Sequence, residues 1–371
     1  MNSQSVVVGM SGGVDSSVAA LLLQQQGFSV TGVFMKNWEE DDNPTSNYCN
    51  ATQDLLDAQQ VCDKLNINLH KVNFASEYWD KVFNIFLEEY QAGRTPNPDI
   101  LCNKEIKFKV FIDYAKQLNA DLVATGHYAR IDKNNNSNYL LTALDQNKDQ
   151  SYFLHALTQQ QLSNCLFPLG ELHKSDVRKI AKDAGLNNYN KKDSTGICFI
   201  GERKFKNFLE KYLPNKSGKI VTESGEFIGT HDGLMYYTIG QRKGLKIGGK
   251  NKYHHIDEPW YVVDKNLNSN QLIVAKGKQH PKLFAKQLRA IKSHWINTNH
   301  TKTLDAFVCQ AKIRYRQASQ LCHVKIINVS EDNSELLVTF ENAQRAISPG
   351  QYIVFYQGNN CLGGAIIEQA I

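Results

Sequence analysis

Two cysteines in this chain stand where a thiol could react. Cys102 lies in "RTPNPDILCNKEIKF", where Pro96 and Pro98 rule out regular structure upstream and a helix is expected to begin at about Asn103. A thiol just before a helix N-terminus, with Lys104 near, is expected to have its pKa lowered and to hold more thiolate near neutrality. Cys198 lies in "DSTGICFIGERKF", between glycines that suit an accessible loop. Cys62, Cys165, Cys309, Cys322 and Cys361 read instead as small buried hydrophobic residues. No two cysteines have CxxC spacing, so neither a zinc nor an iron–sulfur site is expected.

A second reactive string, "SGGVDSS" from Ser11 to Ser17, follows a short apolar run and opens the helix-forming "VAALLLQQQ". Gly12 and Gly13 let backbone approach a ligand, and the new helix presents unpaired N–H groups and the positive end of its dipole. Hydroxyls of Ser11, Ser16 and Ser17 could add donors, and Asp15 is placed to hold Mg2+ or a water bound to it. An ordinary glycine-rich turn is the plainer reading of two glycines alone. The complete string resembles the PP-loop of ATP pyrophosphatases, and no Gly-Lys-Ser/Thr follows to make a Walker A loop. That resemblance implies cleavage of ATP between its α and β phosphates, leaving AMP on an oxygen that is to be expelled. A cysteine persulfide is a stronger nucleophile than a thiol for the following displacement, and a second cysteine can reduce it and end as a disulfide.

These groups need a scaffold. The runs "VVVGM", "VTGVFM", "LHKVNF" and "DLVATGH" alternate with helical periodicity, as in Leu55, Ala58, Cys62 and Leu65 or Phe108, Phe111, Ile112, Ala115 and Leu118. This is the pattern of an α/β fold with a parallel sheet covered by helices. A helix from about Ser175 to Ala184 is expected to stop at Gly185, and the asparagines around 134 to 138 suggest a hairpin or loop tip. From about residue 217 short β-like runs take over, and from about 285 longer ones such as "FVCQAKIRY", "ELLVTFEN" and "YIVFYQG" suggest a small closed barrel. The expected division is an ATP-binding catalytic domain at 1–205, a small mostly-β central domain at 206–280 and a C-terminal β-barrel at 281–371.

Charge is divided unevenly between these parts. Residues 1–200 hold 18 Lys+Arg against 23 Asp+Glu, and residues 201–371 hold 24 against 14, so a net −5 is followed by +10. The basic half suits a polyanion, although uneven charge also serves solubility. The N-terminus has neither a basic segment nor a cleavage site, and no run reaches the length of a membrane span. A cytoplasmic protein that does not engage a membrane is therefore expected, in a compartment where unpaired thiols stay reduced.

Taken in order, "GMSGGVDSS", "RTPNPDILCNKEIKF", "ATGHYAR", "KDQSYFL", "DSTGICFIGERKF", "YYTIGQRKGL" and "AISPGQYIVFY" resemble the bacterial tRNA-specific 2-thiouridylase family across essentially the whole chain. The resemblance implies that ATP adenylates O2 of the wobble uridine in a tRNA anticodon stem-loop and that sulfur replaces that oxygen. It implies Cys102 as nucleophile, Cys198 as persulfide carrier, a disulfide between them after turnover, and Asp99 as general acid or base. Asn97, Pro98 and Asp99 would line the target base. Gly9, Met10, Ser11, Gly12, Gly13, Val14, Asp15 and Ser16 would hold the nucleotide, with Met35 and Gly126 on its adenine and ribose side. His127, Lys148, Asp149, Gln150, Arg314, Tyr315 and Gln344 match positions that touch tRNA. A sulfur-relay protein or cysteine desulfurase would supply the persulfide. Two competing readings are a small-metabolite ligase built on the same ATP loop, which would need neither redox cysteines nor a basic barrel, and a tRNA-binding protein without catalysis.

Overall fold

The computed structural model describes residues 4–39, 50–134, 137–192, 205–247, 258–297, 305–328 and 334–371. Its first part contains strands β1 (Ser5–Gly9), β2 (Ser29–Lys36), β3 (Leu69–Asn73) and β4 (Leu122–Ala124). A hairpin of β5 (Ala129–Asn134) and β6 (Ser137–Thr142) comes next, and then the short β7 (Cys165–Leu166). Five of these form an all-parallel sheet in the order β3-β2-β1-β4-β7.

Because strand side chains alternate in direction, the apolar run of β1 can serve two cores. Val6 and Val8 join Val18, Ala58, Cys62 and Val177 on one face, under helices α1 (Val14–Gln25) and α2 (Asn50–Leu65) and a later helix, Lys174–Asp183. Val7 joins Phe83, Phe108 and Phe111 on the other face. That face is covered by α3, built of the segments Ala75–Tyr78, Trp79–Phe83 and Asn84–Gln91, and by α4, built of Pro98–Leu101, Cys102–Val110 and Phe111–Gln117. The helix Lys174–Asp183, α5 below, ends before Gly185, whose φ of 64° lies in the left-handed region that glycine tolerates.

The central part is a four-stranded sheet of β8 (Gly218–Thr222), β9 (Phe227–His231), β10 (Trp260–Asn266) and β11 (Gln271–Lys276), ordered β10-β11-β8-β9. Ile220, Val262, Leu272 and Val274 form its own small core. The last part holds β12 (Phe284–Trp295), β13 (Ala306–Lys312), β14 (Gln320–Asn328), β15 (Glu335–Arg345), β16 (Tyr352–Gln357) and β17 (Asn360–Ala370). Pairing in the order β12-β15-β14-β13-β16-β17 is closed by β12 against β17, so the six strands make a barrel.

The hairpin β5–β6 does not extend the parallel sheet. It bonds to the barrel instead, with Leu141 opposite Asn360 and Leu140 opposite Cys361. The core under α4 is continuous across that junction, since one buried cluster contains Leu140, Tyr152 and Leu154 together with Val354, Tyr356 and Cys361. Among the described residues no helix is long and apolar enough to cross a membrane.

Barrel closure requires a glycine at position 363, between β12 and β16. Its φ is 142°, and an added Cβ would fall 2.1 Å from the carbonyl oxygen of His294. Gly363→Ala is expected to lower the unfolding free energy by about 2 to 4 kcal/mol in denaturant titrations. Gly358→Ala, in the β16–β17 turn with open space around it, should cost only about 1 kcal/mol. Equal losses at the two sites would show that the close approach at 363 does not constrain the barrel.

Candidate active site

The order β3-β2-β1-β4 reverses direction between β1 and β4, and the loops after those two strands meet there, as ligand-binding loops of open parallel sheets do. Gly12 has φ 72°, and a Cβ on it would lie 2.2 Å from the carbonyl oxygen of Asp54. The serines act mostly inside the loop. Ser16 and Ser17 are buried and each donates its hydroxyl to the carbonyl of Gly13 at 3.0 Å, while Ser16 Oγ also accepts from the Ser11 amide. They therefore shape the cradle, leaving the first-turn N–H groups of α1 and the exposed Ser11 to face a ligand. From outside, Asn188 Nδ2 donates to the carbonyl of Gly12 at 3.0 Å and to Ser17 Oγ at 2.9 Å. Lys191 donates to the same carbonyl while pairing with Asp54 and Asp57.

Asp15, the expected Mg2+ holder, already has partners. Lys174 Nζ, at the start of α5, donates to both its carboxylate oxygens at 2.7 and 2.8 Å, and the Tyr128 hydroxyl donates to Oδ1 at 2.8 Å. Lys174 is buried, with its backbone amide held by Asp145. Among the described residues no group of three His, Cys, Asp or Glu could hold a metal. A lone carboxylate fits a Mg2+ ion that takes its other ligands from phosphates and water, and does not fit a resident metal centre.

Gly126 and His127, consecutive residues after β4, face different neighbours. A Cβ on Gly126 would fall 2.7 Å from Asp15 C and Ser16 N, so only glycine allows the approach to the phosphate loop. His127 is buried against Phe108 of α4, with ring centroids 5.7 Å apart, and Phe167 completes a cluster of three rings, 6.1 Å from His127 and 5.8 Å from Phe108. Its Nδ1 shares a hydrogen bond of 2.7 Å with the Thr125 hydroxyl. Burial first, and the charge of Lys107 second, hold its pKa well below the usual imidazole value, so the ring is neutral.

Helix α4 begins earlier than the sequence suggests. Asn97 occupies the N-cap position and Pro98 the first turn, so Cys102 lies inside the helix and not before it. Proline is favoured at that first position because its missing N–H would have no helical partner there. The consequence concerns access. Cys102 is only 3% exposed and belongs to the same apolar cluster as Ile100, Ile106 and Phe108. From Cys102 to Val110 the helix winds with wide turns, the amide of Phe111 reaching back to Ile106, a geometry frequent at functional sites. Asp99 is also withdrawn from water, and burial raises its carboxyl pKa while Lys107 opposes the shift. Asn103 Nδ2 donates to the Asp99 carbonyl at 2.9 Å, and its buried Oδ1 has no hydrogen-bond partner.

Other expected residues lie elsewhere. Met35 is the penultimate residue of β2, and its methyl is 3.3 Å from where a Cβ on Gly9 would be, so the two expected nucleotide neighbours lie together. Asp149 is buried and bonded to Ala143 N, Ser151 and Lys312 of the barrel. Gln150 is paired with the backbone of Tyr128, and Gln344 with Gln317 and Asn342. Arg314 donates to the carbonyl of Ala346, and Tyr315 packs on Phe153 with centroids 4.4 Å apart. Lys148 is half-buried beside Asp149. Cys198 lies outside the described residues. Sequence reasoning missed Lys174, Asn188 and Lys191, none of which sits in a local motif, and Lys107, which lies within the Cys102 string but was given no role there.

Comparison with known proteins gives three family models in series. A tRNA methyl transferase HUP domain matches residues 4–202, a tRNA methyl transferase PRC-barrel domain 206–276, and an aminomethyltransferase beta-barrel domain 285–367. Among curated relatives, the tRNA-specific 2-thiouridylase MnmA of Hahella chejuensis is 57% identical over 366 residues, covering 99% of this chain and 98% of the relative. The proteins of the same name from Photorhabdus laumondii and Escherichia coli are 58% and 57% identical, over 100% of this chain and 99% and 98% of theirs. The domain descriptions speak of methyl transfer and the relatives of thiolation. The relatives weigh more, because they match end to end at high identity.

Two outcomes follow from this geometry. Gly126→Ala is expected to weaken ATP binding at least about tenfold in calorimetric titration by displacing Asp15 and Ser16, and to lower the melting temperature as well, because the added Cβ meets backbone. Unchanged affinity would remove the loop from the nucleotide site. Asp99 has a folded pKa above its unfolded value, so its half-buried charge lowers stability progressively as pH rises through that interval. Asp99→Asn should therefore melt above wild type at pH 7, and the gap should narrow as pH falls towards the ordinary carboxylate range. A gap that is constant with pH would mean that the carboxyl is not desolvated.

Proposed function

The chain belongs to the tRNA-specific 2-thiouridylase family, and from that membership we propose how its own residues make 2-thiouridine in tRNA. The protein is a tRNA sulfurtransferase. Full-length kinship with thiouridylases disfavours a small-metabolite ligase, and the intact ATP cradle disfavours a binding protein without catalysis.

One observation carries the assignment of residues. Gly126 touches the phosphate loop while the next residue, His127, packs on the helix that holds Asp99 and Cys102. A nucleotide on the α1 N-terminus and a base beside α4 would thus meet across a single strand end. ATP would lie along Gly9 to Ser16, with Met35 and Gly126 beside its adenosine. Mg2+ bound with ATP would neutralise phosphate charge, with Asp15 and Lys174 beside it.

The uridine O2 attacks the α-phosphorus, pyrophosphate leaves, and AMP remains on that oxygen. The terminal sulfur of a Cys198 persulfide then attacks C2. Cys102 thiolate attacks the Cys198 sulfur, the S–S bond of the persulfide breaks, and the C2–O bond breaks as AMP departs. The products are 2-thiouridine, AMP and a Cys102–Cys198 disulfide, which accounts for both sulfur atoms and both electrons. Asp99, with its raised pKa, is suited to carry a proton between base and leaving group. The unused Oδ1 of Asn103 offers an acceptor for the uracil N3–H.

The partners follow from this chemistry. The wobble position lies in an anticodon loop, so extruding the base costs less than opening a duplex. Lys148, Asp149, Gln150, Arg314, Tyr315 and Gln344 belong to the tRNA-facing part of the reading, and the basic second half would hold the RNA body. Because Asp149, Gln150 and Gln344 are bonded within the chain, their part is to shape that surface as well as to touch it. The persulfide would come from a sulfur-relay protein or a cysteine desulfurase, in the cytoplasm where the thiols stay reduced. Since Cys102 is covered in this state, exposing it belongs to the catalytic cycle.

Cys198→Ser should keep tRNA-dependent pyrophosphate release and form no 2-thiouridine, because activation precedes sulfur attack. Nucleoside mass spectrometry and a pyrophosphate assay on the same reaction distinguish the two steps. Wild-type levels of thiolation by that variant would mean that sulfur takes another route.

A further inference from the structure

The loop that leads into Asp99 and Cys102 is held from outside the ATP domain. The Thr95 amide donates to the carbonyl of Pro349 at 2.8 Å, and Gln351 Nε2 donates to the carbonyls of Thr95 at 2.8 Å and Pro96 at 3.2 Å. Gly350 lies so close that a Cβ on it would be 2.9 Å from Thr95 N. The central domain adds Thr238, whose hydroxyl is 3.2 Å from that of Thr95, and Lys265, whose Nζ donates to the Gly93 carbonyl at 2.9 Å.

Such a loop has little means of holding itself. Pro96 and Pro98 contribute carbonyls but no N–H, so its acceptors must find donors elsewhere. The amide of Gln351 supplies two from one planar group. Gln351 closes a short segment whose other end is fixed by Arg314, which donates to the Ala346 carbonyl, and by Ser348, whose hydroxyl donates to the same oxygen at 3.1 Å. The neighbouring Gln344 is pinned to Gln317 at 2.7 Å. One end of residues 344–351 thus carries groups assigned to the tRNA side, and the other end grips the loop of the reaction centre.

We propose that Gln351 is a positioning residue for sulfur insertion: through the carbonyls of Thr95 and Pro96 it places Asp99 and Cys102, and residues 344–351 relay the seating of tRNA on the barrel to that loop. This rests on the reading of Asp99 and Cys102 as the thiolation centre. The Gln351 amide is spent on the carbonyls of Thr95 and Pro96, so its removal is expected to act on turnover more than on affinity.

The test uses the full chain with tRNA, ATP and a persulfide donor. Gln351→Ala is expected to lower kcat about tenfold with KM for tRNA within about twofold of wild type, the scale of losing a geometry-setting hydrogen bond. Gln351→Lys, which retains a donor, should recover much of that loss, whereas Gln351→Glu, with only acceptors facing two carbonyls, should be worse than alanine. A merely structural role would lower melting temperature in all three without ranking them by donor capacity. Unchanged kcat in the Ala and Glu variants, or a loss confined to KM, overturns the proposal. Hydrogen exchange of the amides in residues 93–101 reads the relay without turnover: tRNA should slow it in wild type and not in Gln351→Ala. Absence of that protection in wild type overturns the relay even if thiolation proceeds. Protection without any 2-thiouridine refutes the assigned reaction and leaves the relay supported.

Discussion

The proposed reaction centre depends on a steric condition, the absence of any side chain at position 126. Because Gly126 lets the end of β4 press against the backbone of Asp15 and Ser16, the phosphate loop and helix α4 are brought to the two sides of one strand end. A parallel sheet that reverses its order between β1 and β4 creates the crevice, and the missing Cβ sets its width. Asn188, Lys191 and Lys174 then brace the loop through side-chain bonds, so the cradle is organised before any nucleotide arrives.

What could be read from sequence was local. Four of the five strands of the parallel sheet, the loop after β1 and the stop at Gly185 follow from short-range periodicity or from glycine's backbone freedom, and the structure carries them at those places, whereas the two-residue β7 is too short to leave a pattern. The start of α4 was missed because Pro98 can be taken as a breaker, whereas at the first turn it is a starter, and this shift puts Cys102 inside a covered helix. Lys174 could not have been found in this way. It lies 159 positions from the carboxylate it pairs with, and nothing in its neighbourhood marks it. The serines of the loop gave the right element but a different duty, since all three hydroxyls bond to Gly13 within the loop, those of Ser16 and Ser17 to its carbonyl and that of Ser11 to its amide. Pairing of the β5–β6 hairpin with β17 was equally invisible, because a strand's partner across more than two hundred residues leaves no periodic signal.

Electrostatics and access at this site share one origin, burial on α4. Desolvation keeps His127 neutral and raises Asp99, with Lys107 acting on both groups and limiting only the second shift. The same burial covers the Cys102 thiol. A site that is dry when closed protects a reactive sulfur from solvent and strengthens the charge interactions made there once substrate enters.

The shared core between the hairpin and the barrel bears on how such a protein can be rearranged in evolution or in the laboratory. Three family models tile the chain in sequence, which invites a picture of interchangeable modules. Yet Leu140, Tyr152 and Leu154 are covered together with Val354, Tyr356 and Cys361, and the outer edge of β6 is satisfied by β17. An excised ATP-binding half would present an open strand edge beside a bare apolar patch, the combination that drives self-association. Swapping in a foreign barrel therefore succeeds only if the newcomer brings a matching edge and a matching greasy face.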